Sequence, residues 1–166
     1  KPFALMFPDL KLLEKEVNIS EVVSGALESV AAPIVILNLK NNANSNLQLD
    51  VIAPNLNQIG VILPYTPLFD LLLKKFKKPI IATSGNISNS PIVFEDKKAV
   101  EELSSIADFI VTNNRKIVVP QDDSVIRFSY FKKQKIIIRR SRGLAPSYIN
   151  QHLNFSPKTI LADRKS

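Results

Sequence analysis

Apolar residues come in short bursts along this chain, and the spacing within each burst separates strands from helices. The run FALMF at 3–7 has no helical gaps and predicts a strand. Pro8-Asp9 then opens a short helix through Leu10, Leu12 and Leu13. Ser20 stands as an N-cap ahead of Val22, Val23, Ala26, Leu27 and Val30, which follow helical spacing until Pro33 stops them. Ile34 to Leu39, apolar and β-branched, predicts a strand, and the polar NNANSN at 41–46 a loop. Val61 to Leu63 predict another strand, followed by a turn at Pro64-Tyr65. Thr66 and Pro67 then supply a hydroxyl cap and a first-turn proline for a helix. That helix is expected to turn Leu68, Leu71, Leu72 and Phe76 inward and to end on lysines that suit its dipole.

The second half opens with a short strand, Ile80 to Ala82, that runs into Thr83, Ser84, Gly85 and Asn86. Asp96 to Ile106 predicts a helix with Ala99, Val100, Leu103 and Ile106 on its core side, and ADFIVT at 107–112 a further strand. A strand starts at Val125, KKQK at 132–135 reads as a hairpin end, and Ile136 to Ile138 return into RRSRG. These elements predict an α/β (α+β) domain: a twisted mixed sheet with helices packed on it, its strand order not fixed by periodicity. The chain has no internal repeat, heptad pattern or Gly/Ser linker, so one domain is expected over 1–150, with 151–166 a linker.

Composition narrows the chemistry. The chain has 166 residues, 45% hydrophobic and 22% charged, enough for one substantial core. No apolar run approaches the ~18 residues of a membrane-spanning helix, so no membrane partner is expected. With no cysteine, disulfides and thiolate catalysis are excluded within the chain, and a reducing cytoplasm fits. His152 is the single histidine, which argues against a zinc cage and leaves no protein metal site to expect. A net charge of +7 favours anionic partners: nucleotide, phosphate or double-stranded RNA.

Three stretches carry candidate chemistry, each with a plainer alternative. The strand-to-turn segment at 80–86 presents two hydroxyls and an amide where open α/β sheets bind ligands, with Gly85 permitting close backbone approach; polar turns use the same residues. Asp122, Asp123 and Ser124 are suited to magnesium beside phosphates or to a turn that bonds its own backbone. Arg139, Arg140 and Arg142 form the densest guanidinium cluster, suited to phosphate or to a solvated strand edge. Strand alternation would put Arg140 and Arg142 on one face and Arg139 on the other.

KPFALM, LPYTPL, ATSGN, DDSV and RRSRG, in that order, resemble the YrdC/Sua5-like domain, within it the branch found in carbamoyltransferases of nickel–iron hydrogenase maturation. The resemblance covers roughly residues 1–150 and enters partway through the domain, so earlier modules and a following Kae1-like domain are expected in a longer protein. It implies adenylation: carbamate from carbamoyl phosphate attacks the α-phosphate of ATP with Mg2+, giving carbamoyl adenylate for transfer to the C-terminal cysteine of a HypE-type acceptor. Lys1 matches a lysine near phosphates; Pro64, Tyr65 and Thr66 match an adenylate-lining loop. Thr83, Ser84 and Asn86 match the turn that contacts phosphates and the carbamoyl group. Ser124, Arg139 or Arg140, and Arg142 match positions near the nucleotide. The chain departs from the family at Asn113 and Phe69, where histidines are usual, and at Asn89-Ser90, usually Gly-Glu. Rival readings are a tRNA threonylcarbamoyl-adenylate synthase and a double-stranded RNA-binding module.

Overall fold

In the computed structural model, which describes residues 2–40, 45, 47–87 and 90–146, six strands form one mixed sheet. In chain order the elements are β1 (Ala4–Met6), α1 (Leu10–Leu13), α2 (Glu21–Leu27), β2 (Ile34–Asn38), α3 (Leu49–Ile52) and β3 (Gln58–Ile62). They continue with α4 (Pro67–Phe76), β4 (Ile80–Ala82), α5 (Asp96–Leu103), β5 (Val125–Phe128) and β6 (Lys135–Arg139). The sheet order is β4-β1-β3-β2-β5-β6. β1 and β3 run parallel, as do β2 and β5; the other three pairings are antiparallel. The α/β architecture expected from the sequence is therefore present. Among the described residues no helix is long and apolar enough to cross a membrane.

Alternation along the strands divides the sheet into two unlike faces. Leu5, Val35, Leu37, Ile59, Val61 and Ile126 point to one side, where they join Leu13 of α1, Val23 and Leu27 of α2, and Ile52 of α3 in the main core. Asp9 starts α1 as predicted, its carboxylate accepting from the Leu12 N–H at 2.8 Å. Ser20 holds the N-cap position of α2 with no side-chain capping bond.

The opposite face is covered at one end by α4. Thr66 caps this helix by accepting the Phe69 N–H at 3.3 Å, with Pro67 in the first turn. The buried side is not the one expected. Leu73, with Phe69 beside it, packs on Met6, Ile62, Ile80 and Ala82, while Leu68, Leu71, Leu72 and Phe76 are exposed. LFDLLLKKF is apolar on two adjacent stripes, so spacing alone does not choose between them; the short sheet edge beneath accommodates only one.

Three further expectations fail, two of them in the region after β4. α5 ends at Leu103 and buries no residue, leaving Val100 and Ile106 exposed. ADFIVT forms no strand: Phe109 and Val111 are 90% and 82% exposed, and the segment is not one of the six strands of the sheet. α2 stops at Leu27, so Val30 lies outside it. The short α3 has no counterpart among the expected elements, because LDVI is one turn and shows no full helical period. The 151–166 linker lies outside the described residues.

Candidate functional site

The part of the second face that α4 leaves open is a cavity of about 720 Å³. Its floor follows from strand register. Ala82 pairs with Ala4, Ala4 with Gly60 and Gly60 with Ile36, so small residues line up across β4, β1 and β3. A Cβ on Gly60 would lie 3.1 Å from the Ile34 Cγ2, so glycine here deepens the floor. Thr83 and Ser84, at the end of β4, line one rim; Asp122, Asp123, Arg139 and Arg142 line another, with Tyr65 and Phe69 as an aromatic wall.

The turn after β4 is built by its own side chains. Ser84 Oγ donates to Asn86 Oδ1. Asn86 Nδ2 in turn donates to the carbonyls of Ile87 and Ser90, both at 2.9 Å. Asn86 thus shapes the turn and does not itself line the cavity. Ser84 keeps lone pairs to accept, and Thr83 lies on the rim. Gly85 lies off the lining, and a Cβ there would meet only Leu103 Cδ1 at an ordinary 3.5 Å.

Both aspartates meet arginines. Asp122 Oδ2 lies 3.5 Å from an Arg139 terminal nitrogen, and Asp123 Oδ1 accepts from Arg142 Nε at 2.7 Å. Arg139 Nε also donates to the Asp123 carbonyl at 2.8 Å. Arg142 reaches across to the α2–β2 turn, donating to the Ala32 carbonyl at 2.8 Å and the Ala31 carbonyl at 3.4 Å. Its guanidinium carbon stands 3.7 Å above the centre of the Tyr65 ring. Among the described residues no group of three or more His, Asp or Glu is placed to hold a metal.

Alternation does not survive past β6. The strand ends at Arg139, and Arg142 returns to the sheet through a bridge to Asp123, so Arg139 and Arg142 share the cavity while Arg140 is exposed away from it. Ser124 is also not a lining residue. It is fully buried, its hydroxyl donating to the Arg142 carbonyl at 2.9 Å and accepting the Ser141 N–H at 2.8 Å. Of the loop at 64–66, only Tyr65 reaches the cavity. Its phenol is pushed above the ordinary tyrosine range, first by burial and then by the Asp123 charge, with Arg142 opposing. Lys1 lies outside the described residues. The hydrophobic floor is absent from the sequence reading; its signal is the facing register of Ala4, Gly60 and Ala82, which requires the strand pairing to be known.

A mixed sheet, closed by helices on one face and open over a hydroxyl- and arginine-rimmed cavity on the other, is accompanied by a match over residues 1–141 to the family model described as telomere recombination, Sua5/YciO/YrdC. The chain belongs to this family. Within it, the similarity runs to carbamoyltransferases HypF. The protein of Synechocystis sp. is 40% identical over 149 residues, 90% of this chain and 19% of the relative. The probable carbamoyltransferase HypF of Methanocaldococcus jannaschii is 33% identical over 161 residues, 97% and 20% of the respective chains. The crystal structure of full-length HypF in its phosphate- and nucleotide-bound form superposes with a TM-score of 0.80 at 40% identity, covering 88% of this chain and 22% of that one. Sua5 of P. abyssi, 18% identical with a TM-score of 0.67 over 85% of this chain and 40% of that one, shares the fold. The chain spans about a fifth of the length of the curated relatives it matches.

Proposed function

We propose that this domain binds ATP and forms or holds carbamoyl adenylate, as the nucleotide-handling part of a HypF-type carbamoyltransferase. The observation that carries the reading is the meeting of Thr83, Ser84 and Arg139 around one cavity large enough for a nucleotide. Displacement at phosphorus needs positioning, cations and oriented donors rather than a protein nucleophile. A chain without cysteine and with one histidine meets that requirement. Thr83 and Ser84 orient the carbamoyl and phosphate oxygens, with Asn86 holding the Ser84 hydroxyl in place. Arg139 meets the phosphates with the donors left over from Asp122 and Asp123. Water cleaves carbamoyl phosphate to carbamate and inorganic phosphate, and a carbamate oxygen attacks the α-phosphate of Mg2+-bound ATP as pyrophosphate leaves. The cysteine thiol of a HypE-type acceptor in the cytoplasm then takes the carbamoyl group, losing its proton and releasing AMP.

Calorimetry with ATP, Mg2+ and carbamoyl phosphate tests this in the full-length protein. ATP is expected to bind, and Ser84→Ala to weaken binding while leaving the far-ultraviolet circular dichroism unchanged. Pyrophosphate release dependent on carbamoyl phosphate, and not on threonine with bicarbonate, separates this reading from a threonylcarbamoyl-adenylate synthase. Unchanged affinity in folded Ser84→Ala would remove the hydroxyl from its assigned role.

A further inference from the structure

Two arginines line the cavity, and they are engaged very differently. Arg139 has a single backbone acceptor and a long, exposed contact to Asp122. Arg142 is tied on three sides: to Asp123 through Nε, and to the carbonyls of Ala31 and Ala32 through its terminal nitrogens. Its own backbone is fixed as well, the N–H donating to the Asp122 carbonyl at 3.0 Å and the carbonyl accepting from buried Ser124. Three of its five N–H donors are thereby committed and its charge is paired with Asp123, so what it chiefly presents to the cavity is the face of its fork. One of those faces lies on Tyr65, 3.7 Å from the ring centre, and the Tyr65 and Phe69 rings meet edge to face at a centroid distance of 5.4 Å. A guanidinium at that distance over an aromatic face is attracted by the ring quadrupole.

We propose that Arg142 is a positioning residue: its guanidinium is latched between Asp123 and the α2–β2 turn so that its face holds the Tyr65 ring as a fixed wall of the cavity, and it does not neutralise ligand phosphate. The latch joins four stretches distant in sequence, the turn at 31–32, the loop at 64–66, Asp123 and the strand exit at 139–142. Charge alone does not suffice for this role. Lysine in place of Arg142 keeps the positive charge but has neither the fork for two carbonyls and a carboxylate nor a plane to stack. The nature of the ligand rests on the nucleotide reading above; the hold on Tyr65 does not.

The test follows the Tyr65 phenol by its ultraviolet difference absorbance during alkaline titration of the full-length protein. Each variant is compared with the same variant carrying Tyr65→Phe, which isolates the signal of this ring. Burial is the main reason the phenol ionises late. With Arg142→Lys or Arg142→Gln, loss of the latch is expected to release the ring to water and lower its titration midpoint toward the ordinary tyrosine value. If the ring instead stays buried and Arg142 is only a neighbouring cation, Arg142→Gln raises the midpoint, which overturns the proposal. An unmoved midpoint in both variants overturns it too. The second arm measures ATP affinity against salt. Arg142→Gln is expected to weaken binding several-fold with an unchanged salt slope, because no ligand phosphate loses its countercharge; a slope clearly shallower than that of the wild type overturns the assignment. If the wild-type protein binds no ATP, the nucleotide reading falls, and the titration arm alone decides the latch.

Discussion

Gly143 follows Arg142 and has a left-handed backbone, with φ of +81°. A Cβ there would fall 2.3 Å from the Ala31 carbonyl oxygen, 2.6 Å from its Cα and 2.8 Å from its carbonyl carbon. All three atoms are backbone, so no side chain can swing aside. Gly143→Ala therefore adds the left-handed penalty of ~1–2 kcal/mol to an overpacking cost of ~1–3 kcal/mol, about 2–5 kcal/mol together. Against a typical stability of ~5–15 kcal/mol this is a large fraction. With a urea slope of about 2 kcal/mol/M, the unfolding midpoint falls by about 1–2.5 M. Gly25 provides the contrast: it lies inside α2, and a Cβ there would have no atom within 4 Å. Gly25→Ala should raise stability by ~0.5–1 kcal/mol through backbone entropy and helix propensity. Urea melts of the two variants read both effects on one scale. A Gly143→Ala midpoint equal to wild type, or two glycines responding alike, would refute the close approach of the strand exit to the α2–β2 turn.

The remaining predictions concern the other supports of the cavity. Ser124→Ala leaves the Ser141 N–H without its acceptor and is expected to cost ~1–3 kcal/mol in thermal unfolding, whereas a purely surface hydroxyl would cost almost nothing. Thr66→Ala removes the α4 cap and should cost ~1 kcal/mol, with Thr66→Ser restoring most of it in the same melt. Gly60→Val raises the floor against Ile34, so ATP affinity measured by calorimetry should fall; wild-type affinity in a folded variant would place the ligand off the floor. The raised Tyr65 pKa means the unfolded chain loses its phenolic proton first. The stability this supplies is complete below about pH 10 and is lost as pH climbs through the folded value, so Tyr65→Phe should flatten the alkaline part of the stability profile.

Local signals were enough for most of the strands and for the capped start of α4. FALMF, Ile34 to Leu39 and the run from Val125 are β-rich bursts, and Thr66-Pro67 is a cap with a physical mechanism. What could not be read was which way an element faces. Leu68, Leu71, Leu72 and Phe76 make as good a helical stripe as Phe69 and Leu73, and only contact with Met6 and Ile62 distinguishes them. The same limit explains the arginines. Alternation is a rule about a continuous strand, and the strand stops at Arg139, so the faces of Arg140 and Arg142 depend on a turn and a bridge to Asp123. Ser124 shows the converse: a serine beside two acidic residues suggests ligand chemistry, yet its burial and two hydrogen bonds make it a brace.

Charge bookkeeping within the cavity sharpens the proposed chemistry. The chain as a whole carries +7, but the charged residues on the described cavity lining are Asp122, Asp123, Arg139 and Arg142, two of each sign. Each carboxylate is paired with a guanidinium, so this lining offers a triphosphate little uncompensated positive charge. The lysines of the described residues lie off this lining, where charge is screened within a Debye length of ~8 Å at physiological ionic strength. On the proposed reading, neutralisation at the reacting phosphates then falls to magnesium arriving with ATP and to the spare donors of Arg139. Neutral hydroxyls at Thr83 and Ser84 fit such a site, since they orient oxygens without adding charge. ATP affinity should then depend far more steeply on magnesium than on the lysines of the outer surface.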